Sequence, residues 1–218
     1  MLDFLFPNYT CLICKSELNL PQNLYLCDKC ASDLPINTEP VTYKDQKQKQ
    51  YFYKAFAAFL YSDPIAGLIL RLKYNDDSQV ATALAPYMAA AWLRENETVS
   101  PDTILVPVPL CKKREKSRGY NQALLLAKEI SAMVPFPVSN DAIIRVKVTS
   151  PQKEMTVRER ANNLKNAFVI KNAFSAKDKK IILVDDVFTS GSTVNECARI
   201  LMQAGAKEVN VLVIAAVV

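Results

Sequence analysis

The sequence predicts an α/β fold, in which a parallel sheet flanked by helices follows a small N-terminal four-cysteine module. From residue 100 onward, short apolar strands alternate with amphipathic helices, the pattern of a parallel sheet covered on both faces. Before residue 35, four cysteines follow a C-x2-C-x12-C-x2-C pattern. The composition is that of a globular chain, since 50% of the 218 residues are hydrophobic and the formal net charge is +5.

The four N-terminal cysteines, Cys11, Cys14, Cys27 and Cys30, predict a metal-binding module over residues 1–35. Each C-x2-C pair can bind one side of a tetrahedral zinc ion, with zinc–sulfur distances of about 2.3 Å. Two disulfides are the alternative, but disulfides are rare in a reducing compartment. Four thiolates leave no coordination position for water, so we predict a structural, zinc-ribbon-like site. Iron also accepts four thiolates, so the ligands alone do not choose between the two metals.

Several function classes are excluded by residues that the chain lacks. It contains no histidine, which removes Ser-His-Asp and Cys-His catalytic sites. Its four glycines are not spaced as in dinucleotide-binding or P-loop motifs. Residues 1–10 have no basic region and contain Pro7, unlike a signal peptide, and no apolar stretch of about 18 residues follows. We therefore expect a cytoplasmic protein without membrane insertion.

The middle of the chain predicts a linker followed by one strand and two helices. Residues 36–50 are polar and end in a charged run, KDQKQKQ, which is typical of a linker. The aromatic-rich stretch Tyr51–Tyr61 favours a strand or hairpin. Apolar residues at helical spacing then predict helices over Ile65–Lys73 and Ser78–Arg94, the second kinked at Pro86.

The remaining elements complete an α/β domain over residues 51–218. Apolar runs predict strands and 3.6-residue periodicity predicts helices. The strands are Thr103–Val108, Ala142–Val148, Ala167–Ile170, Ile181–Val184 and Val209–Val218, and the helices are Asn121–Met133 and 194–204. Ligands of parallel sheets bind at the carboxyl ends of the strands, so we expect the functional site at that edge.

One strand end carries the most informative run of the chain. After Ile181–Val184 come two acidic residues, Asp185 and Asp186, and then a hydroxyl-rich turn at the start of a helix. Free amide groups at a helix N-terminus bind phosphate well, so the turn predicts a monophosphate site. Its residues are Thr189, Ser190, Gly191, Ser192 and Thr193. Thr193 and Glu196 fit a capping box.

The two carboxylates beside this turn predict contacts to sugar hydroxyls. Carboxylates accept hydrogen bonds from hydroxyl groups, so Asp185 and Asp186 are suited to the ribose of a ligand whose 5′-phosphate lies in the turn. The alternative is that the pair only shapes a turn at the strand end. A sugar phosphate explains both the acidic pair and the turn.

Residues 181–193 closely resemble the phosphoribosyl pyrophosphate (PRPP) signature of type I phosphoribosyltransferases. Further matches narrow the resemblance to the ComF family, whose members are linked to DNA uptake in natural transformation, and they extend over nearly the whole chain. Besides the four-cysteine module, these matches are Leu72-Lys73-Tyr74 with Asp76 and Asp77, Val106-Pro107-Val108-Pro109, Arg118-Gly119-Tyr120-Asn121-Gln122, Gln152, Met155, Arg160, Asn163 and Phe168. The resemblance implies a type I phosphoribosyltransferase-like domain.

The resemblance also implies roles for individual residues in displacement at C1 of PRPP, with Mg2+ bridging the pyrophosphate and the ribose hydroxyls. Asp185 and Asp186 orient the ribose, and residues 189–193 hold the 5′-phosphate. Lys73 and Arg118 assist the leaving group, and Pro107 and Val108 belong to the pyrophosphate loop, where rigid backbone is expected to offer amide contacts. No feature of the sequence identifies the acceptor.

Two further segments carry charge suited to these roles. The run Cys111–Arg118 contains five cations and one anion, which favours phosphate binding, although a solvated basic face is an alternative. The polar stretch Thr149–Lys165 lies where type I enzymes carry a flexible loop that closes over the site and excludes water. Its candidate residues are Gln152, Arg158 and Arg160. An ordinary surface loop is the alternative.

Two functions therefore remain open. In the first, the chain is a phosphoribosyltransferase that uses PRPP, Mg2+ and an unknown acceptor. In the second, it is a non-catalytic competence factor that binds single-stranded DNA or a partner protein through the zinc module and basic loops, with PRPP as regulator. The module has only Tyr25 as an internal aromatic residue for base stacking, which favours the first.

Overall fold

A computed structural model describes residues 10–18, 25–43, 49–74, 77–96, 100–147, 164–171 and 174–217. Its second half contains both helices and strands, but two helices and then three strands follow one another in the order of elements. The helices are α1 (Asp28–Ser32), α2 (Ile65–Tyr74), α3 (Ser78–Glu95), α4 (Lys112–Arg118), α5 (Gln122–Met133) and α6 (Ser192–Gln203). The strands are β1 (Ala55–Leu60), β2 (Thr103–Pro107), β3 (Ile143–Arg145), β4 (Phe168–Ile170), β5 (Lys180–Phe188) and β6 (Glu208–Ala216).

The centre of the fold is a four-stranded parallel sheet in the order β1-β6-β5-β2. One face packs against the buried apolar sides of α2, α3 and α5. The other packs against α6 and the small pair β3 and β4. Because both faces are covered, β6 is apolar along almost its whole length, and its residues from Val209 to Ala216 are buried. The predicted parallel sheet flanked by helices is confirmed.

Strands β3 and β4 differ from the prediction. They form a separate two-stranded antiparallel sheet and do not join the parallel sheet. Each is three residues long, and the middle residue of each, Ile144 or Val169, is exposed. Only one face of this pair is therefore buried, which is typical of an antiparallel sheet that packs on one side.

Strand β5 is longer than predicted, and this changes the setting of the acidic pair. The apolar run predicts a strand ending at Val184, but the ladder with β6 continues to Phe188. Asp185 and Asp186 therefore lie inside the strand. Consecutive strand residues point to opposite faces of a sheet, so the two carboxylates are directed to different sides.

The segment predicted as a linker lies along the outer edge of β1. Asn37 donates its backbone N–H to Ala58 at 2.9 Å, and Val41 donates to Ala55 at 2.9 Å. At the far end of this segment, the ring of Tyr43 is buried. The predicted boundaries at 35 and 50 stay predictions, but residues 36–43 are held by backbone hydrogen bonds.

The four-cysteine module packs on the helical layer. Leu12 and Leu26 are buried in the same apolar cluster as α2 and α3. The guanidinium of Arg71 on α2 donates to the carbonyl oxygen of Leu12 at 2.6 Å and also pairs with Asp77. The module is thereby fixed to the face of the domain that carries α2.

Candidate functional site

The predicted phosphate-binding turn lies at the carboxyl end of β5. Gly191 is the N-cap of α6 and has a left-handed backbone with φ of 76°, a conformation that costs little only for glycine. The N-cap residue has no side chain, and the Ser190 hydroxyl oxygen accepts from the Ser192 N–H only at 3.4 Å. The Ser190 and Ser192 hydroxyl oxygens lie 2.9 Å apart and are buried. The first-turn amide groups beyond Ser192, those of Thr193 and Val194, are thus left for a ligand.

The capping box predicted for α6 is wrong. The helix begins at Ser192, before Thr193. The carboxylate of Glu196 instead accepts a hydrogen bond from the backbone N–H of Asn166 at 3.0 Å and pairs with Arg199 at 2.7 Å. The Glu196 side chain, which a capping box would direct toward the helix start, therefore makes its contacts elsewhere.

A small, solvent-open cavity lies at this helix start. Its lining is made by the end of β5, the turn and the first residues of α6. These residues are Asp185 and Val187 to Val194. A methyl group placed on Gly191 would lie 2.5 Å from the Phe188 ring and 2.8 Å from the Tyr43 ring, so only glycine fits this position.

Asp185 faces this cavity, and its surroundings disfavour a negative charge. Loss of water around the carboxyl group, followed by the negative charge of Asp186, raises the pKa of Asp185 well above its ordinary value. Burial and the nearby Asp185 likewise raise the pKa of the buried Cys197 on α6. A bound sugar hydroxyl or cation would therefore offset the cost of a negative charge on Asp185.

Arg145 on β3 is a neighbour of this site that the sequence analysis does not single out. Its guanidinium lies 5.4 Å from the centre of the Phe168 ring, and its charge acts on Asp185 and Cys197. Burial lowers its pKa. Ile143 and Arg145 share the inner face of β3, because side chains alternate along a strand and Ile144 between them is exposed. The sequence alone gives no such signal, since Ile143 and Ile144 are adjacent and equally apolar.

Asp186 faces the opposite side and belongs to a polar network. Its Oδ2 atom lies 2.7 Å from Nζ of Lys73, and the Asp186 side chain is only 8% exposed. Nε2 of Gln122 donates to the same oxygen at 3.5 Å. Oε1 of Gln122 in turn accepts a hydrogen bond from Arg118, whose guanidinium lies 5.5 Å from the centre of the Tyr74 ring. Three predicted site residues, Lys73, Arg118 and Asp186, are thus brought together.

The loop between α4 and α5 is anchored at nearly every residue. Gly119 ends α4 with φ of 84°. The Tyr120 hydroxyl donates to the carbonyl oxygen of Leu72 on α2. Asn121 caps α5 by accepting from the Ala123 N–H at 3.0 Å, and its Nδ2 donates to the Val108 carbonyl at 3.1 Å. The segment therefore joins α4, α2, β2 and α5 around the network.

The predicted pyrophosphate loop has one feature that differs from expectation. The Val108 N–H donates to the carbonyl oxygen of Val184 at 2.9 Å, and Pro107 has no N–H to offer. The expected amide contacts from Pro107 and Val108 are therefore not available in this structure. Their position at the end of β2, beside Asn121, still places this loop at the predicted edge of the sheet.

The remaining predicted residues divide between an exposed helix and a segment outside the description. Helix α4 presents most of its basic side chains to solvent. Gln152, Arg158 and Arg160, the candidates for the flexible loop, lie outside the described residues.

The four N-terminal cysteines converge as predicted. Their Sγ atoms all lie within 4.8 Å of one another, and those of Cys14 and Cys27 are 3.7 Å apart. A tetrahedral ion with metal–sulfur distances of about 2.3 Å requires sulfur–sulfur distances of about 3.8 Å. The cluster formed by Cys11, Cys14, Cys27 and Cys30 therefore matches the size of a tetrahedral metal site.

The protonation of these thiols also fits a metal site. Hydrogen bonds to Ser16 lower the pKa of Cys14 to about 6. Burial and the neighbouring thiols raise the pKa of Cys30 to about 12. Thiolates packed this closely repel one another, so the last proton is held until a cation offsets the charge. A bound divalent ion would release it.

Comparison with known proteins agrees with this geometry. The phosphoribosyl transferase domain family matches residues 120–217, a range that includes the acidic pair and the phosphate-binding turn. Competence protein F of Haemophilus influenzae is 32% identical over an alignment 223 residues long, gaps included. The alignment covers 94% of this chain and 96% of that protein. The chain belongs to the competence protein F family. The predicted membership and fold class are thereby confirmed.

Other members and solved structures show the spread of the similarity. The DNA utilization protein YhgH of Escherichia coli (strain K12) is 36% identical over 69% of this chain and 66% of its own length. Competence protein ComFC of Bacillus subtilis is 29% identical over 68% of this chain and 58% of its own length. A purine phosphoribosyltransferase structure from Pyrococcus horikoshii has 19% identity and a TM-score of 0.35, covering 60% of this chain and 69% of its own. Within the described ranges, no helix is both long and apolar enough to cross a membrane.

Proposed function

We propose that this chain binds PRPP together with Mg2+ and transfers the phosphoribosyl group to an acceptor, in a process linked to DNA uptake. One observation carries the proposal: the uncapped N-terminus of α6 opens into the same cavity as the carboxyl group of Asp185. A helix N-terminus attracts phosphate, and a carboxyl group accepts hydrogen bonds from sugar hydroxyls. A ribose 5-phosphate group satisfies both.

Each part of PRPP has candidate partners in the site. The 5′-phosphate lies in the turn formed by residues 189–193, where the buried hydroxyls of Ser190 and Ser192 add donors. Asp185 and Asp186 orient the ribose from the two faces of β5. Lys73 and Arg118 lie at the Asp186 side, where positive charge stabilises a pyrophosphate leaving group.

The residues also fit the predicted Mg2+ ion. Mg2+ prefers oxygen ligands and is commonly bound by one or two carboxylates together with substrate phosphates. Asp185, which lines the same cavity as the phosphate-binding turn, provides one such carboxylate, whereas Asp186 on the other face is paired with Lys73. When bound, the ion would neutralise charge on the leaving group. Water exclusion by the loop that contains Gln152, Arg158 and Arg160 stays a prediction.

Isothermal titration of PRPP with Mg2+ tests the proposal. We expect micromolar binding to the wild-type protein and its loss in an Asp185→Asn, Asp186→Asn double variant. Asp141→Asn is the matched control, because Asp141 is exposed, pairs with Lys171 and lies outside the cavity lining. Pyrophosphate release on addition of candidate acceptors then reports transfer. Absence of heat with the wild-type protein would contradict the proposal.

We also propose that the ion in the four-cysteine cluster is Zn2+ in a structural role. Closely spaced thiols with a buried apolar neighbour, Leu12, support a closed site that stabilises the module. Elemental analysis of the purified protein should give about one zinc per chain, and Cys14→Ser should lower the metal content and the melting temperature. A stoichiometric iron content would contradict the assignment.

The second candidate function, binding of single-stranded DNA by a non-catalytic competence factor, is favoured by the exposed basic helix α4. Lys112, Lys113 and Lys116 are all solvent-exposed, and exposed cations bind nucleic-acid phosphates in a salt-dependent way. Fluorescence anisotropy with labelled single-stranded DNA at several salt concentrations tests this function. A Lys113→Ala, Lys116→Ala variant should bind more weakly and with a shallower salt dependence. Equal binding by both proteins would exclude α4 as the contact.

A further inference from the structure

Gln122 is a buried side chain that connects the two ends of the polar network. It is the first residue of α5 and is only 4% exposed. Its Oε1 accepts a hydrogen bond from Arg118, and its Nε2 donates to Oδ2 of Asp186 at 3.5 Å. Nζ of Lys73 lies 2.7 Å from the same Asp186 oxygen. One amide therefore lies between a guanidinium and an ion-paired carboxylate.

The chemistry of the three groups fixes the orientation of this amide. A guanidinium can only donate hydrogen bonds, and an ionised carboxylate can only accept them. Gln122 must therefore direct its oxygen to Arg118 and its nitrogen to Asp186. A glutamine side chain is neutral, reaches both groups and supplies one donor and one acceptor at its end. Carboxylate or aliphatic side chains of similar length lack one or both of these functions.

The backbone around Gln122 is also held in place. Asn121 ties the start of α5 to the end of β2 through the Val108 carbonyl. Tyr120 ties the same loop to α2 through the Leu72 carbonyl, one residue before Lys73. Because these anchors restrain the first turn of α5, Gln122 presents its amide to Arg118 and Asp186 from a backbone that is held in place.

We propose that Gln122 is a positioning residue that holds Arg118, the leaving-group cation, at a fixed place relative to Asp186, the ribose carboxylate. This inference rests on the proposed PRPP site and adds the group that aligns its two halves. Gln122 touches neither the phosphate cavity nor its lining among the described contacts. It acts through its two charged neighbours.

A comparison of two ligands separates positioning from general loss of structure. PRPP uses both the Arg118 end and the Asp186 end of the network, whereas ribose 5-phosphate has no pyrophosphate and uses only the Asp186 end. Gln122→Leu should weaken PRPP binding by about tenfold or more, because hydrogen bonds to charged groups are worth about 1.5–3 kcal/mol. The same variant should lose less affinity for ribose 5-phosphate. Equal losses for the two ligands would overturn the proposal.

Gln203→Leu provides a matched control. Gln203 accepts a hydrogen bond from Arg199 four residues before it, at 2.8 Å, which is the same local pairing that Gln122 makes with Arg118. It is exposed at the far end of α6 and, within the described ranges, forms no hydrogen bond with a carboxylate. We expect both ligands to bind this variant as they bind the wild-type protein.

An exchange of charges keeps the proposal testable if Gln122→Leu does not fold. Gln122→Glu alone places two carboxylates side by side and should weaken PRPP binding by about tenfold or more. In the Gln122→Glu, Asp186→Asn double variant, amide and carboxylate have changed places and Arg118 keeps an acceptor. Its affinity should be no lower than that of Asp186→Asn alone. Independent, multiplied losses would overturn the inference, and failure of the wild-type protein to bind PRPP would overturn the proposed function itself.

Discussion

Helices α5 and α6 begin at the same edge of the sheet, but their N-termini are built differently. Helix α5 comes after β2 and the short helix α4, and it is capped by Asn121, whose side chain accepts from the Ala123 N–H at 3.0 Å. Helix α6 follows β5, the strand beside β2, and its N-cap residue Gly191 has no side chain. The start of α5 is satisfied by its own cap, whereas the start of α6 has only a long contact, 3.4 Å from the Ser192 N–H to the Ser190 hydroxyl, and is otherwise open.

The difference separates structural helix starts from binding ones. A cap satisfies free amide groups and typically adds about 1 kcal/mol of stability. An open start gives up that stability, and its amides can bind an anion instead. Here the capped helix carries Gln122 in its first turn, so its start is fixed where precise side-chain placement is needed.

Closing the open start should have the largest effect. Gly191→Ala adds a methyl group 2.5 Å from the Phe188 ring and 2.8 Å from the Tyr43 ring, at φ of 76°. The turn must shift to relieve this overlap, so we expect PRPP affinity to fall by about 100-fold or more and stability to fall by about 2–3 kcal/mol. Calorimetric titration and chemical denaturation measure the two effects.

Gly205→Ala is the control for backbone strain alone. Gly205 also has a positive φ, 92°, but a methyl group there would make only ordinary contacts, at 3.5 Å from the nearest Lys177 atom. This variant should lose about 1 kcal/mol of stability and keep wild-type PRPP affinity. If a folded Gly191→Ala protein also keeps that affinity, the open helix start is not the phosphate site.

Replacing the carboxyl group of Asp185 beside the open start should weaken PRPP binding by at least about tenfold. The same replacement should stabilise the protein without ligand. The raised pKa of Asp185 means that the folded state holds its proton more tightly than the unfolded chain, where the value is about 3.9. Ionised Asp185 therefore lowers stability as pH rises from about 4 through the folded pKa, and the cost persists above it.

Asp185→Asn removes this cost. The variant should melt at a higher temperature than the wild-type protein at about pH 8, and the difference should nearly vanish near about pH 3, where Asp185 is mostly protonated in both states. Scanning calorimetry over this range measures it. A variant that melts lower than the wild-type protein at pH 8 would mean that the ionised carboxylate is stabilised by its surroundings, contrary to the cause given for its raised pKa.

Local signals in the sequence predict much of this fold, but strand partners are set at longer range. The apolar run before Asp185 predicts a buried strand, yet its end depends on pairing with β6, which continues to Phe188. The residues around Ile144 have strand character, but their antiparallel partner at Val169 lies 25 positions later. Nothing within either short run indicates which sheet it joins.

The same limit applies to the site. The turn at Gly191 and the four cysteines are each part of a short sequence motif, so their chemistry can be predicted from the sequence. The partners of Asp186, which are Lys73 and Gln122, come from distant segments, and no local pattern predicts that a salt bridge and an amide meet on one oxygen. The Thr193 and Glu196 motif fails partly for the same reason, because Asn166 from a distant segment, together with Arg199 one turn further along the helix, competes for the glutamate.

Removing the cap of α5 should weaken PRPP binding less than either Gly191→Ala or Asp185→Asn. Asn121→Ala loses the hydrogen bonds to Ala123 and Val108, at an expected cost of about 1–2 kcal/mol of stability. PRPP affinity should fall only about threefold to tenfold, because Gln122 is loosened and not removed. Asn121→Ser, which can still cap, should recover most of the stability. Equal loss of stability in both variants would mean that the Val108 contact, and not the cap, holds the helix start.

The smallest effect is expected behind the open start, at Tyr43. Its hydroxyl oxygen accepts from Asn195 on α6 at 3.2 Å, while its ring closes the space beside Gly191. Tyr43→Phe removes the hydroxyl and keeps the ring, so stability should fall by about 1 kcal/mol and PRPP affinity should stay within about twofold of wild type. Tyr43→Ala, which removes the ring as well, should weaken PRPP binding clearly more. If Tyr43→Phe weakens PRPP binding as much as Tyr43→Ala does, the hydroxyl group and not the ring shapes the turn. The open helix start would then depend on the hydrogen bond between Tyr43 and Asn195.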